Sequence, residues 1–458
     1  MIGRSSTALE IAAAVRSGAV SAVDVTQAAL SRIGTDDPRL GAFTAVTADR
    51  ALSEAAKIDA VVAGVGEPGP LAGVPFAVKN LFDVAGLPTF AGSKINAGHP
   101  PAAHDAVLIQ RLTQAGAVLV GALNMGEYAY DFTGENCHYG PSRNPHDPTR
   151  MSGGSSGGSG TAAAAGLVPL TLGSDTNGSI RVPSSFCGLF GLKPTFGRLS
   201  REGTFPFCYS LDHLGPLARS AADLAAAYDA MLDPGGMAAA ATPALGRGSD
   251  GLRIAVAGDY FARGALPEAF EAVAKVAAAL GSRETVTIPE AARARAAAYV
   301  ITTAEGGNLH LERLRTRAAD FDPATRDRLL AGAMVPSSWY LQAQRFRRWY
   351  HDRVMELFET VDIVLAPATP CTAPPIGQQT MVLDGIEMLV RPNIGIFTQP
   401  LSLIGLPIVA VPVQRPGGLP IGVQVIAAPG REDLALRVAA ELELSGICAA
   451  PVPFGGTH

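Results

Sequence analysis

Residues 151–182 read MSGGSSGGSGTAAAAGLVPLTLGSDTNGSIRV. The stretch starts with glycines and serines up to Gly160, continues as an alanine-rich segment typical of a helix, and then becomes the apolar run LVPLTLG. An apolar run of this length next to glycines predicts a buried strand, and residues 176–179 after it predict a tight turn. A helix that leads directly into a buried strand favours an α/β fold.

The same alternation of helix and strand extends to both ends of the chain. Helices are predicted after Ser21 and Ser220, which both stand where an N-cap residue is expected, and over much of residues 289–360. Further strands are predicted in VPFAVKNLF, ending at Lys79, and in AVLVGAL, RIAVAG, DIVLAP, LPIVAVPV and PIGVQVIAA. We therefore predict one α/β/α layered domain, residues 1–458, around a largely buried, mixed central β-sheet.

Composition excludes several classes of protein. The chain has 458 residues, of which 48% are hydrophobic and only 17% charged, which excludes a disordered or coiled-coil protein. The net charge is −5 and no cluster of Lys or Arg occurs, so nucleic acid is not expected as a direct ligand. No apolar run reaches about 18 residues and no secretory signal is recognisable. We expect a cytoplasmic protein without a membrane partner.

Cysteine and histidine point to neither a metal nor a disulfide. The five cysteines are far apart and form no CxxC or Cys/His cluster, so we expect no zinc site and no disulfide framework. The eight histidines lie in no recognisable Ser-His-Asp setting, so a hydrolytic site in this chain needs another base. We expect no metal and no organic cofactor.

The glycine- and serine-rich stretch allows several interpretations. It can be a flexible loop. Residues 154–158 match the G-x-S-x-G nucleophile elbow, and residues 158–163 weakly match a dinucleotide fingerprint, but both need a strand immediately before them. The preceding residues, NPHDPTR, are turn formers, so neither match is favoured. A lysine-containing phosphate loop is absent.

Taken with other blocks, the stretch resembles the amidase signature family. The blocks PLAGVPFAVKN, MSGGSSGGSGTAAA, LGSDTNGSIRVPSSFCGLFGLKPT, LDHLGPLARS and LPIGVQVIAA occur in the family's order over nearly the whole chain. The resemblance implies a catalytic core at about residues 70–220. It also implies Ser179 as nucleophile, Ser155 in a cis peptide as bridging serine, and Lys79 as base. The spacing favours Ser155 over its neighbour Ser156 for the bridging role.

A physical argument supports Lys79 as a base. Apolar residues stand on both sides of it, in FAV before and LF shortly after, and burial among them lowers the pKa of a lysine by destabilising its charged form. A neutral amine can then accept a proton. The alternative is a lysine at the end of a strand in an ordinary ion pair.

The predicted turn can supply oxyanion donors. Backbone NH groups of Thr176, Asn177, Gly178 and Ser179 can converge on one point after the strand. Many members of the family carry Gly where this chain has Asn177. For Arg181 we favour an ion pair with Asp175 that holds the turn, and a contact to a substrate carboxylate is the alternative.

Three further segments are NLFDVAGLPTFAGSKI, NMGEYAYDFTGENCHYGPSRNP and RPNIGIFTQPLSLIGLP. They resemble one branch of the family, the catalytic subunits that hydrolyse 1-carboxybiuret in cyanuric acid degradation. That resemblance implies ammonia release from a small, acidic, urea-like amide. It also implies homodimerisation of a complex that contains a small helical partner subunit. Tyr128 and Tyr130, with Arg181, are candidate substrate contacts. The alternatives are the catalytic subunit of a glutamyl-tRNA amidotransferase, an allophanate, aliphatic-amide or carbamate hydrolase, and an inactive amidase-like scaffold.

Overall fold

A large mixed sheet organises the computed structural model, which describes residues 2–64, 66–236 and 238–453. The strands in these ranges are β1 Phe43–Val46, β2 Pro75–Lys79, β3 Val118–Leu123, β4 Arg143–Asn144, β5 Asp147–Met151, β6 Leu170–Asp175, β7 Phe190–Lys193, β8 His213–Ala218, β9 Ile254–Ala257, β10 Glu284–Val286, β11 Ile363–Pro367, β12 Thr380–Leu383, β13 Ile386–Leu389, β14 Ile408–Val413 and β15 Ile421–Ala427. Eleven of them form the central sheet in the order β1-β3-β2-β6-β8-β7-β14-β15-β11-β9-β10.

Helices pack against this sheet and account for most of the remaining regular structure. In the same described ranges they are α1 Ala8–Arg16, α2 Ala22–Leu40, α3 Ala48–Ala63, α4 Val107–Gln114, α5 Gly157–Ala164, α6 Arg181–Cys187, α7 Ala221–Met231, α8 Pro267–Ala279, α9 Ala291–Leu309, α10 Leu311–Arg317, α11 Pro323–Ala333, α12 Ser337–Leu357, α13 Val390–Asn393, α14 Gln399–Ser402 and α15 Glu432–Leu444. None of them is long and apolar enough to cross a membrane.

Local sequence signals account for many of these boundaries. The Ser21 side chain accepts a hydrogen bond from the NH of Asp24 at the start of α2, and Ser220 accepts one from Ala222 at the start of α7, so both predicted N-caps are confirmed. The predicted strands are also present, and β2, β6, β14 and β15 are buried along their whole length. The α/β class and the mixed central sheet are confirmed.

One local prediction was wrong. The turn formers NPHDPTR contain a short antiparallel hairpin of β4 and β5, in which Asn144 pairs with Asp147 around a turn at residues 145 and 146. Asn, Pro, His and Asp do form that turn, but the residues after it extend into a strand outside the central sheet. A separate hairpin of β12 and β13, residues 380–389, was also not predicted.

The arrangement of β2 and β6 positions the site. These two strands are parallel neighbours, with Phe76 opposite Leu170 and Val78 opposite Leu172. The carboxyl ends of parallel neighbours lie at the same edge of a sheet, so Lys79, the last residue of β2, lies close to the segment that follows Asp175 at the end of β6. That segment is the predicted turn at residues 176–179.

Candidate active site

Lys79 contacts two serine hydroxyls in the core of the protein. Its Nζ donates hydrogen bonds to Ser155 Oγ at 2.7 Å and to Ser174 Oγ at 2.8 Å, and its side chain is fully buried. Burial lowers the pKa of Lys79 to about 7, and this outweighs the opposing effect of the carboxylates of Asp212, Asp175 and Asp131. A substantial fraction of Lys79 is therefore neutral near pH 7. Lys79 forms no ion pair with any described residue, so the alternative of an ordinary ion pair is wrong.

Ser155 is held by a rigid, buried backbone. The Gly154–Ser155 peptide bond is cis, as predicted, and all of residues 152–160 are buried. The Gly154 NH donates to Phe132 O at 2.9 Å, and a Cβ at Gly154 would lie 2.4 Å from Asp131 Oδ2. The glycine is needed for this close approach, so the flexible-loop interpretation is wrong.

Ser156, the alternative bridging serine, makes different contacts. Its Oγ donates to the carbonyl of Ser174 at 3.2 Å and accepts from the NH of the same residue at 3.2 Å. These bonds tie the start of α5 to strand β6. The structure thus brings Ser155 rather than Ser156 to Lys79.

The turn after β6 is fixed by contacts with three other segments. Thr176 Oγ1 donates to Asp212 Oδ1 at 2.6 Å, Asn177 Nδ2 donates to Thr302 Oγ1 at 2.9 Å, and Asn177 O accepts from Thr398 Oγ1 at 2.6 Å. Gly178 has φ +141°, and a Cβ there would lie 2.2 Å from Thr398 Oγ1. Only glycine fits this position without a rearrangement.

Ser179 lies at the end of this turn, just before α6. Across the described parts of the chain, neither its Oγ nor the NH groups of Asn177, Gly178 and Ser179 find a hydrogen-bond partner. In particular, no hydrogen bond joins Ser155 directly to Ser179 in these ranges. One hydroxyl and three neighbouring NH groups are therefore available to a ligand, which is the set that acyl transfer requires.

A narrow cavity of about 30 Å³ adjoins Ser179. Its lining includes two predicted turn residues, Thr176 and Asn177, and Tyr130. The other lining residues were not singled out from the sequence, and they are Ala129, Asp131, Phe132, Phe207, Tyr299, Thr302, Arg328, Pro392 and Gln399. The narrowness of this cavity favours a small substrate.

Arg328 is the cationic residue in this lining, and it comes from α11, far from Ser179 in sequence. Its Cζ lies 3.8 Å from the centroid of the Tyr130 ring, and it donates hydrogen bonds to Tyr130 O and Ala324 O. No carboxylate in the described ranges forms an ion pair with it. Arg328 thus supplies a positive charge that is not neutralised by a direct partner.

The two candidate tyrosines have different positions. Tyr130 lines the cavity, as expected for a substrate contact. Tyr128 does not, because its ring packs against Phe205, His310 and Phe321, and its hydroxyl donates to Asn96 Oδ1 at 3.1 Å. The structure therefore corrects the suggestion that Tyr128 contacts substrate: it is a buried packing residue.

Arg181 is a structural residue in this arrangement. It is fully buried, forms a bidentate ion pair with Asp175 at 2.9 Å, and donates further hydrogen bonds to Thr398 O, Gln424 Oε1 and Ser402 Oγ. These contacts use all of its N–H groups. The ion-pair interpretation is confirmed, and the alternative contact with a substrate carboxylate is wrong for this structure because no donor remains.

Two further residues near Lys79 were missed from the sequence. Ser174 lies within the motif LGSDTNGS, and its place on the strand next to Lys79 was a usable signal. Asp212 contacts Thr176 from a distant segment, LDHLGPLARS, and no local pattern indicates this contact. In the described ranges, no group of three or more His, Cys, Asp or Glu side chains is arranged to hold a metal ion.

Known proteins resemble this chain over most of its length. The family model described as Amidase matches residues 24–436. The chain belongs to the amidase signature family. It is 55% identical over 450 residues to AtzE, a 1-carboxybiuret hydrolase subunit of Pseudomonas sp. (strain ADP), covering 96% of this chain and 98% of that protein.

Two further relatives extend the comparison. A solved structure described as a vestigial protein complex that reveals the evolutionary origins of an s-triazine catabolic enzyme has a TM-score of 0.95 and 54% identity, with 97% of this chain and 100% of that chain covered. A glutamyl-tRNA(Gln) amidotransferase subunit of Chloroflexus aurantiacus is 38% identical, with 93% of each chain covered. This chain is thus similar both to a 1-carboxybiuret hydrolase subunit and to a glutamyl-tRNA(Gln) amidotransferase subunit.

Proposed function

We propose that this amidase cleaves the C–N bond of a small linear amide and releases ammonia, with Ser179 as nucleophile, Ser155 as proton relay and Lys79 as base. The observation that carries this proposal is the 2.7 Å contact between Lys79 Nζ and Ser155 Oγ. It places a lysine with a pKa of about 7 next to a hydroxyl that can pass a proton. Ser179 supplies a free hydroxyl beside free backbone NH groups.

The proposed reaction proceeds in two stages. Ser179 Oγ attacks the amide carbonyl carbon while its proton passes to Ser155 Oγ, and the Ser155 proton passes to Lys79 Nζ. The negatively charged oxygen that forms accepts hydrogen bonds from the NH groups of the turn at residues 176–179. The C–N bond then breaks, and the proton returns through Ser155 to the leaving nitrogen, which departs as ammonia. Water repeats the sequence on the acyl-serine and releases a carboxylate and Ser179.

For the substrate we propose a small, acidic, urea-like amide, most specifically 1-carboxybiuret. The half-buried Arg328 supports an anionic substrate, because Asp131, the carboxylate in the same lining, is paired with Arg391, and the Arg328 guanidinium can pair with a carboxylate of a ligand. The Tyr130 hydroxyl, in the same lining, can add a polar contact. The 55% identical relative that carries the name 1-carboxybiuret hydrolase supports the more specific assignment.

We also propose that the chain works with a small helical partner subunit. The most similar relatives reported above are named as a subunit or described as part of a protein complex. The glutamyl-tRNA amidotransferase relative supports an alternative in which glutamine is the ammonia donor. With the same proposed catalytic residues, the hydrolase would act on 1-carboxybiuret and the amidotransferase on glutamine.

An ammonia-release assay separates these functions. The purified chain is tested, with and without a candidate helical partner subunit, on 1-carboxybiuret, malonamide, glutamine and an aryl amide. We expect kcat/KM for 1-carboxybiuret to exceed that for glutamine by orders of magnitude. Faster turnover of glutamine would favour the amidotransferase function and leave the Ser-Ser-Lys chemistry in place.

A further inference from the structure

The carboxamide of Asn177 contains an acceptor that the protein does not use. Asn177 is only 7% exposed, and its Nδ2 donates to Thr302 Oγ1 at 2.9 Å. Its Oδ1 is buried and has no hydrogen-bond partner among the residues the structure describes. An unpaired buried amide oxygen is unfavourable in a native protein, so its presence calls for a reason.

The position of Asn177 supplies that reason. Asn177 and Thr302 both line the cavity next to Ser179, and Asn177 stands two residues before the nucleophilic serine. The residue is held at two points, because Thr302 Oγ1 accepts from the side-chain Nδ2 and Thr398 Oγ1 donates to the backbone carbonyl of Asn177 at 2.6 Å. One N–H of Nδ2 is occupied and the backbone is fixed, so Oδ1 is the buried polar atom of this side chain that is left without a partner in the described ranges.

We propose that Asn177 Oδ1 accepts a hydrogen bond from an N–H group on the acyl side of the substrate, next to the carbonyl carbon that Ser179 attacks. This inference rests on the proposed function and makes it more specific. A ureido substrate carries an N–H at that position, whereas glutamine and aliphatic amides carry a CH2. A site built to pair with an N–H discriminates against the CH2 analogue, because the buried acceptor then stays unpaired.

Biuret and malonamide form a suitable pair of probes, because they differ only by NH against CH2 between the two carbonyl groups. The readout is the ratio of kcat/KM for biuret to kcat/KM for malonamide, measured by ammonia release. Comparing this ratio between variants removes the intrinsic difference in reactivity of the two amides. Asn177→Leu, which keeps the branching at Cγ but has no polar side-chain atom, and Asn177→Gly, which removes the side chain, should both lower the ratio by about tenfold or more.

Variants of Thr302 provide a matched control. Thr302→Ser keeps the hydroxyl that fixes Nδ2 and should keep the wild-type ratio. Thr302→Val removes that hydroxyl and should lower the ratio, because the carboxamide is no longer fixed. A ratio that is the same in wild type, Asn177→Leu and Asn177→Gly, with all variants folded by circular dichroism, would overturn the inference.

A binding measurement separates this inference from the proposed function. Calorimetry on Ser179→Ala, which needs no turnover, should give a lower Kd for biuret than for malonamide, and adding Asn177→Leu should remove the difference. If that holds while wild type releases no ammonia from 1-carboxybiuret, the inference stands and the proposed hydrolysis fails. If biuret does not bind Ser179→Ala, or binds the double variant equally well, the inference is overturned.

Discussion

Lys79 Nζ lies 2.7 Å from Ser155 Oγ although 76 residues separate them in the chain. The contact depends on two features of the fold. One is the parallel pairing of β2 with β6, and the other is the buried glycine-rich backbone before α5. The direct partners of Nζ are hydroxyl groups, and the carboxylates of Asp212, Asp175 and Asp131 act on it only at longer range. This environment favours the neutral amine, the form that can accept a proton.

The first prediction concerns pH. Burial lowers the pKa of Lys79 to about 7, and the base must be neutral to act. kcat/KM should therefore rise by about tenfold per pH unit below that value and level off above it.

Lys79→Arg should be as inactive as Lys79→Met, because guanidinium keeps its proton at all accessible pH values. Retained activity in Lys79→Arg would mean that the site needs positive charge and not a proton acceptor.

The second prediction concerns Gly178. In Gly178→Ala the new Cβ would lie 2.2 Å from Thr398 Oγ1, in a backbone conformation that side chains rarely adopt. We expect the free energy of unfolding to fall by about 1–3 kcal/mol and kcat to fall with it, because the oxyanion NH groups shift. Gly197→Ala is the control, since Gly197 also has a positive φ but no atom within 4 Å of the place that a Cβ would occupy. Normal kcat in Gly178→Ala would contradict the role of this turn.

The third prediction concerns Arg328. Arg328→Gln should raise KM for an anionic amide by about 10- to 100-fold, because a charge-assisted hydrogen bond is lost, and should affect a neutral amide much less. Arg326→Gln is the matched control on the same helix, since Arg326 pairs with Asp327 and does not line the cavity. Equal effects of Arg328→Gln on anionic and neutral substrates would argue against carboxylate recognition by this residue.

The fourth prediction concerns the buried ion pair of Arg181 and Asp175. Arg181→Met leaves the Asp175 carboxylate buried without its partner, so the free energy of unfolding should fall by about 3–5 kcal/mol. The guanidinium holds the pKa of Asp175 well below its usual value. This contribution is therefore complete at neutral pH and is lost as pH falls below the usual range of aspartate. Denaturant unfolding is the measurement, and a higher KM with unchanged stability would instead indicate a substrate contact.

Much of the fold was predictable because its signals are local. The apolar runs at β2 and β6 and the serine caps of α2 and α7 depend on short-range patterns, and the structure confirms them. The hairpin of β4 and β5 was missed because strong turn formers occupy both its turn and part of its strands. The extent of the domain, residues 1–458, stays a prediction.

The residues alone predicted the site only where positions close in sequence act together, whereas Lys79 and Ser155, 76 residues apart, were brought together by the family resemblance. The turn at 176–179 and the pairing of Asp175 with Arg181 lie within one segment. Arg328 and Asp212 reach the site from other elements, and Tyr128 points into a ring cluster that involves His310 and Phe321. Such contacts depend on how distant segments pack, which no local pattern specifies.

The central claim is that Ser179 forms the acyl-enzyme. Peptide mass spectrometry of enzyme quenched during turnover tests it directly, because the acyl group adds its mass to one serine. We predict the adduct on the peptide that contains Ser179, and we predict that Ser179→Ala folds normally, forms no adduct and loses activity by about 10³-fold or more. An adduct on Ser155 or Ser156, or near-normal hydrolysis by Ser179→Ala, would contradict the account.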